Sequence, residues 1–469
     1  MRSFLAAAIL ATAMLVNAAE PPRRPNIVII VADDLGWNAV GYHGGFARTP
    51  NIDRIAHEGV ELDRFYVCPM CSPTRAGLLT GRYAIHMGMG RAVVRPWAHY
   101  GLPTDARTLP TALADAGYKD RVAFGKWHLG HLDPKWHPLA KGFTHFIGCY
   151  NGALDYFTRE RDGQIDWHND YQDINPKGYT TDLIAADAVK FISSHKKATD
   201  PYFCYVAFTA VHDPPEAPDD YIKRYPNFPG RKGIVAAQDE CMDDGIGRIL
   251  KAIEDSGAKD NTLVWFLSDN GGIDVIPENN APLRGHKLTA YEGGIRAPAA
   301  VWWPGVIEGG RKCATPVVHV DLMPTLLKLC GAQTTGGKPL DGIDVWPILR
   351  GESNAPARDV YGFEGQQGLN NEQIAVITPD SWKLIVTGPD VRRSEGADPK
   401  THRLELFDLQ HDPYEKNDLS NAQPQRVKQL ADRIVAFRKT EPDNALPAIN
   451  RPPPNFAPPK NWHNAPAGK

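Results

Sequence analysis

The sequence predicts an α/β protein: a large mixed, mostly parallel sheet flanked by helices, followed by a smaller C-terminal α+β domain with a short antiparallel sheet. Three observations lead there. Short apolar, β-branched runs alternate with helical patterns over the first three quarters of the chain. Carboxylates or a histidine stand just beyond the ends of three of those runs, at the edge where open α/β sheets place their ligand crevice. After about residue 353 the pattern changes to short strands and one closing helix.

Residues 26–32 are almost wholly apolar, as in a strand buried on both faces, and end at Asp33 and Asp34. Thr49 and Pro50 open a helix over 51–57 that Gly59 closes, with Thr49 as its expected cap, and 108–116 before Gly117 repeats the pattern. A second buried strand over 202–211 ends at His212. A long amphipathic helix over 238–254 leads to a strand over 262–267 that ends at Asp269 and Asn270. In the C-terminal part, strands are expected over 372–378, 382–387 and 404–408, with a helix over 425–438. The expected divisions are a signal peptide over 1–18, a catalytic domain over 19–352, the smaller domain over 353–440, and an extended or disordered Pro-rich tail over 441–469.

A formal net charge of −3 argues against a nucleic-acid partner. Arg2, an apolar run over 4–16 and small residues before Glu20 read as an export signal, which places the protein in the periplasm or outside the cell. No segment approaches the roughly 20 apolar residues of a membrane span. Seven cysteines show no diagnostic disulfide spacing, and no bridge is assigned.

The most informative stretch is Cys71-Ser72-Pro73-Thr74-Arg75, which runs into the apolar helical pattern up to Gly81. It sets a reactive side chain at a helix N-terminus, where unpaired N–H groups and the macrodipole favour an anion, with Arg75 nearby to bind a tetrahedral oxyanion. Cys71 has two other readings. It can be a buried small hydrophobe, or one half of a Cys68–Cys71 redox or zinc dithiol. Asp33, Asp34, Asp269 and Asn270 are hard oxygen donors, suited to Ca²⁺ or Mg²⁺. As isolated residues they read equally as turn formers.

The run from Pro69 to Gly81 resembles the signature of the formylglycine-dependent sulfatases, members of the alkaline phosphatase superfamily. The run from Gly125 to Gly130, with Lys126 and His128, resembles their second motif, although one extra residue precedes it and Asp120 replaces the usual Ser or Thr. Further likenesses at 34–38, 49–53, 152–157 and 339–346 extend the resemblance over nearly the whole chain and point to the arylsulfatase B, or N-acetylgalactosamine-4-sulfatase, type.

The resemblance implies an alkaline phosphatase-like fold and a sulfuric ester hydrolase. It implies oxidation of Cys71 to formylglycine by a formylglycine-generating enzyme. It also implies one divalent cation, usually Ca²⁺, held by Asp33, Asp34, Asp269, Asn270 and residue 71. Arg75, Lys126, His128, His212 and Lys287 take the catalytic and sulfate-binding roles by resemblance, while Glu292 and Arg296 read as a structural pair. The expected substrate is a sulfated carbohydrate, cut from its end at a sugar such as N-acetylgalactosamine or galactose. Two rivals stand beside this reading: a phosphate monoester or diester hydrolase of the same superfamily, and a non-catalytic protein that binds sulfated glycans. Trp97, Tyr156, Phe157 and Trp167 are candidates either for stacking on a sugar or for the core.

Overall fold

The strand Asn26–Ala32 is buried at every position and alternates its side chains between two hydrophobic layers: Ile27, Ile29 and Val31 face one, Val28, Ile30 and Ala32 the other. It lies at the centre of a ten-stranded mixed sheet in the computed structural model, which describes residues 24–196, 200–352, 356–392, 397–443, 445 and 451–466. The expected signal peptide lies outside the described residues.

Parallel to the central strand run Thr262–Ser268 on one side and, on the other, Tyr202–Ala207, Asp120–Lys126 and His145–Cys149 in that order. Antiparallel strands border this core, Ala299–Trp302 beside Thr262–Ser268 and His168–Asn169 beside His145–Cys149. Helices cover both faces. Cys71–Thr80, Leu109–Asp115 and Leu322–Leu329 pack on one, while Pro50–Glu58, Thr180–Ser194 and Arg231–Asp255 pack on the other. The expected α/β architecture is therefore the observed one.

A four-stranded antiparallel sheet follows, ordered Val360–Glu364, Glu372–Ile377, Trp382–Gly388 and Arg403–Asp408. The helix Pro424–Arg438 covers it with Val427, Leu430, Ala431, Ile434 and Phe437, a stripe at helical spacing. Its first strand carries Tyr361 and Gly362 among its apolar residues and was not separable from loop in the sequence. Lys383 of this sheet is buried with Glu292 of the short helix Glu292–Ile295 and with Glu415, its Nζ 2.9 Å from Glu292 and 2.8 Å from Glu415. Glu292 also lies 3.8 Å from Arg296, within ion-pair distance.

Three local expectations need correction. Thr49 does not cap its helix; its hydroxyl donates to Asp53, and the N–H groups of Asn51 and Ile52 donate instead to the Asp243 carboxylate of a neighbouring helix. The strand expected to reach Val211 stops at Ala207; beyond it the chain leaves the regular ladder but stays bonded to the central segment, with the Phe208 N–H donating to the Val31 carbonyl and the Val211 N–H to the Asp33 carbonyl. The helix expected over 238–254 begins at Arg231, a turn and more earlier, after Gly230 turns the chain at positive φ. At the C-terminal end, Trp462 inserts into the core beside His131, and its indole N–H donates to the Arg161 carbonyl at 2.9 Å.

Candidate functional site

The parallel register brings the ends of four strands to one edge. Ala32 pairs with Ser268, and Ala207 with Gly125, so Asp33, Asp34, Asp269, Asn270 and Lys126 emerge side by side. The helix Cys71–Thr80 points its N-terminus at the same edge and is buried along its whole length. Polar contacts fix that end. The Thr74 hydroxyl donates to the Cys68 carbonyl and accepts from the Cys68 N–H, while Ser72 Oγ accepts from the Val94 N–H and donates to the His128 carbonyl. Sequence reading missed Ser72; its place beside Cys71 was the available signal.

Cys71 Sγ lies 3.4 Å from Asp33 and 3.9 Å from Asp34. Burial, together with the Asp269 carboxylate, pushes its thiol far above the ordinary range, so the unmodified side chain is no thiolate nucleophile. Cys68 turns instead toward His319 Nε2 at 3.7 Å, away from the carboxylates that Cys71 faces, so the two sulfurs serve different surroundings.

The adjacent aspartates are separated by their cations. Lys126 Nζ pairs with Asp33, and Lys287 Nζ lies 2.7 and 2.9 Å from the two oxygens of Asp34. Arg75 grips Asp269 through two nitrogens at 2.8 Å, reaches to 3.8 Å from Asp33, and donates to the Lys126 carbonyl. Its fork is thus spent on a carboxylate and does not reach the open cavity. Against the cost of burial, the charges of Lys287 and Lys126 hold the Asp34 carboxyl well below the carboxylate range. Burial and the nearby Asp33 raise Asp269 to about 6.

Lys126 and His128 do not share one face of an extended segment. Lys126 ends its strand, whereas His128 adopts positive φ and turns into the cavity. Gly152 makes room for that ring, since a Cβ there would lie 2.3 Å from its Cε1. The His128 Nε2–H donates to the Val94 carbonyl at 3.0 Å, which leaves Nδ1 an acceptor with no partner among the described residues. Burial and the charges of Lys126 and Arg75 keep this imidazole neutral. His212 stands at the cavity mouth with Nε2 3.8 Å from Asp34 and Nδ1 on the Asp213 carbonyl; burial and the ammonium of Lys287 keep it neutral too.

A hard divalent cation fits this donor set. Single oxygens of Asp33, Asp34 and Asp269 and the Cys71 sulfur all lie within 4.8 Å of one another. Beside them the Asn270 amide donates to Asp34, while its oxygen, Oδ1, is buried with no hydrogen-bond donor among the described residues. That orphaned acceptor is the atom this side chain would offer to a cation.

Outside this group a cavity of about 290 Å³ opens past Cys71, lined by His128, His212 and Lys287, and by Arg95 and Arg161, which sequence reading did not single out. Of the four aromatic candidates, Tyr156 and Trp167 belong to the core, whereas Phe157 is exposed. Trp97 is half-buried against Phe456.

The sulfatase family model matches residues 25–332, and a second, described as N-sulphoglucosamine sulphohydrolase, C-terminal, matches residues 286–440. Arylsulfatase J of Mus musculus is 33% identical over 457 residues, covering 89% of this chain and 76% of its own. N-acetylgalactosamine-6-sulfatase of Homo sapiens is 31% identical over 471 residues, covering 92% and 88%. The crystal structure of Ps i-CgsB in complex with k-i-k-neocarrahexaose superposes with a TM-score of 0.81 at 28% identity, covering 90% of this chain and 94% of that one.

Proposed function

Because the chain belongs to the sulfatase family of the alkaline phosphatase superfamily and is a sulfuric ester hydrolase, we propose that it removes a sulfate monoester from the end of a sulfated carbohydrate, with Cys71 oxidised to formylglycine. The sugar in this reading is an N-acetylgalactosamine or galactose residue, in keeping with the name of the Homo sapiens relative and with the k-i-k-neocarrahexaose bound by the similar structure. The reading rests on one observation: Cys71, at a helix N-terminus, faces three carboxylates and heads a cavity that also holds Lys287, His128 and His212.

The hydrate of formylglycine at residue 71 would supply the nucleophilic oxygen, and a Ca²⁺ or Mg²⁺ held by Asp33, Asp34, Asp269 and Asn270 would neutralise charge on the sulfuryl group. The chain's own residues do the rest. Lys126 and Arg75 fix Asp33 and Asp269, so these carboxylates are oriented before substrate arrives. Lys287, its charge secured by Asp34, binds a sulfuryl oxygen and stands with His212 where the sugar oxygen departs; of the two it holds the proton in the resting site. His128 accepts a proton at Nδ1, the nitrogen its hydrogen bond to Val94 leaves open.

Mass spectrometry of the peptide containing residue 71, with parallel assays on an aryl sulfate and an aryl phosphate, tests the proposal. The expected result is a peptide in which oxygen replaces sulfur and two hydrogens are lost, with turnover of the sulfate far faster than of the phosphate. An unmodified thiol in active enzyme, or faster turnover of the phosphate, would overturn it. Export, the other expectation drawn from the N-terminal segment, remains part of the proposal. Among the described residues no helix is long and apolar enough to cross a membrane.

A further inference from the structure

The inner cations of the site are each matched by a carboxylate: Arg75 by Asp269, Lys126 by Asp33 and Lys287 by Asp34. Arg95 is not matched. Among the described residues its guanidinium has no ion pair and no side-chain hydrogen bond, and its Nε is buried without a partner. Arg161 lines the same cavity, and its acidic neighbour is Asp162, 3.3 Å away on a solvent-exposed hairpin tip, a contact of little strength. Of the remaining acids along the cavity wall, Asp34 is taken by Lys287, and Asp213 by Arg231. Two guanidiniums therefore line one partly enclosed space, where burial, and after it the charge of Arg161, lower the pKa of Arg95 against the opposing effect of Tyr100. Like charges held this way are costly unless an anion joins them.

Both arginines are held in place. Arg95 follows Val94, whose N–H is bound by Ser72 and whose carbonyl is bound by His128. Arg161 sits on the short hairpin of Glu160–Arg161 and Gln164–Ile165, to which the C-terminal segment is tied by the Trp462 indole and by the Asn461 N–H on Gln164. We propose that Arg95 and Arg161 form a second anion subsite, which binds another sulfate ester or a uronate carboxylate on the sugar adjoining the one that is cut. The substrate is then a polyanionic glycan, and the second anion, not the scissile ester, sets the preference among glycans. This inference rests on the sulfatase reading of the same cavity and deepens it.

The test compares kcat/KM for three saccharides of equal length: one with the scissile sulfate alone, one with a further sulfate on the adjoining sugar, and one with a uronate there. The native enzyme is expected to favour one of the two doubly charged substrates, and which one identifies the source of the anion. Arg95→Gln and, separately, Arg161→Gln should each lower that preference by about 10- to 100-fold, the size of a lost charge-assisted hydrogen bond. Arg95→Lys should restore part of it, and added salt should erode it. No preference in the native enzyme, or variants that slow all three substrates equally, would overturn the subsite. Should the native protein fail to cleave even an aryl sulfate, the sulfatase reading falls. Calorimetric binding of the doubly sulfated saccharide to native and Arg95→Gln protein then decides the subsite alone: weaker binding by the variant supports it, and equal binding refutes it.

Discussion

Each charged residue at the sheet edge is defined by its partner. Lys126 is buried with its ammonium on Asp33, so removing it leaves that carboxylate beside Cys71 with only the more distant Arg75, 3.8 Å away. Lys126→Met is therefore expected to lower kcat/KM on an aryl sulfate by about 10²-fold or more, the scale of losing one preorganised charge. The fold should survive, since the side chain's packing is kept. Steady-state kinetics beside a circular dichroism melt checks this; unchanged kinetics in a folded variant would remove Lys126 from the site. Residues of this kind were legible in the sequence because they cluster at strand ends and match family motifs. Arg95 and Arg161 were not, since one arginine in a loop and one in a two-residue strand acquire meaning only from what faces them in space, and Ser72 offered no signal beyond its place beside Cys71.

The helix Cys71–Thr80 is the element on which the site depends, and His319 lies beneath it. A Cβ on Gly77 would come within 2.4 Å of His319 Nε2. Helix propensity alone favours alanine there by about 1 kcal/mol, but overpacking a closed core costs about 1–3 kcal/mol, so the clash wins. Gly77→Ala should lower unfolding free energy in urea by about 1–2 kcal/mol and reduce kcat as residue 71 shifts; a stabilised variant would show that the histidine yields. His319 itself is held near pKa 4, against about 6.5 unfolded, by burial, while its ring faces the Tyr66 carbonyl through Nδ1 and Cys68 through Nε2. A depressed native pKa means that the unfolded chain takes up the proton first. The stabilisation is complete above about pH 6.5 and is lost as pH falls toward 4, by at most about 3 kcal/mol. Unfolding measured from pH 7 to 4.5 should therefore be flatter in His319→Asn than in the native protein, and parallel curves would refute the assignment. Elements with a strong period were readable: Asn26–Ala32 begins and ends where the sequence places it. Boundaries set by distant groups were not, as with the Asp243 carboxylate that caps the helix Pro50–Glu58.

At the scale of the molecule, the layered α/β body fixes the inner site, while peripheral segments shape the cavity mouth. The sequence beyond residue 441, rich in proline and polar residues, gave little reason to expect anchoring. Yet Trp462 is among the largest fully buried side chains, and its indole N–H closes on the carbonyl of Arg161. One tryptophan in a proline-rich stretch does not make a helical or strand period, so only the receiving surface, with His131 and the 160–165 hairpin, shows that it docks. Trp462→Ala empties a core position and should cost about 3–5 kcal/mol in urea unfolding if the tail unfolds together with the body. If the tail instead detaches as a separate unit, global stability will change by less than about 1 kcal/mol while hydrogen exchange of the 160–165 hairpin rises. Cooperative docking predicts the larger loss. It also predicts that hairpin exchange in the native protein tracks global unfolding, because the tail and the strand edge beneath it would then open as one.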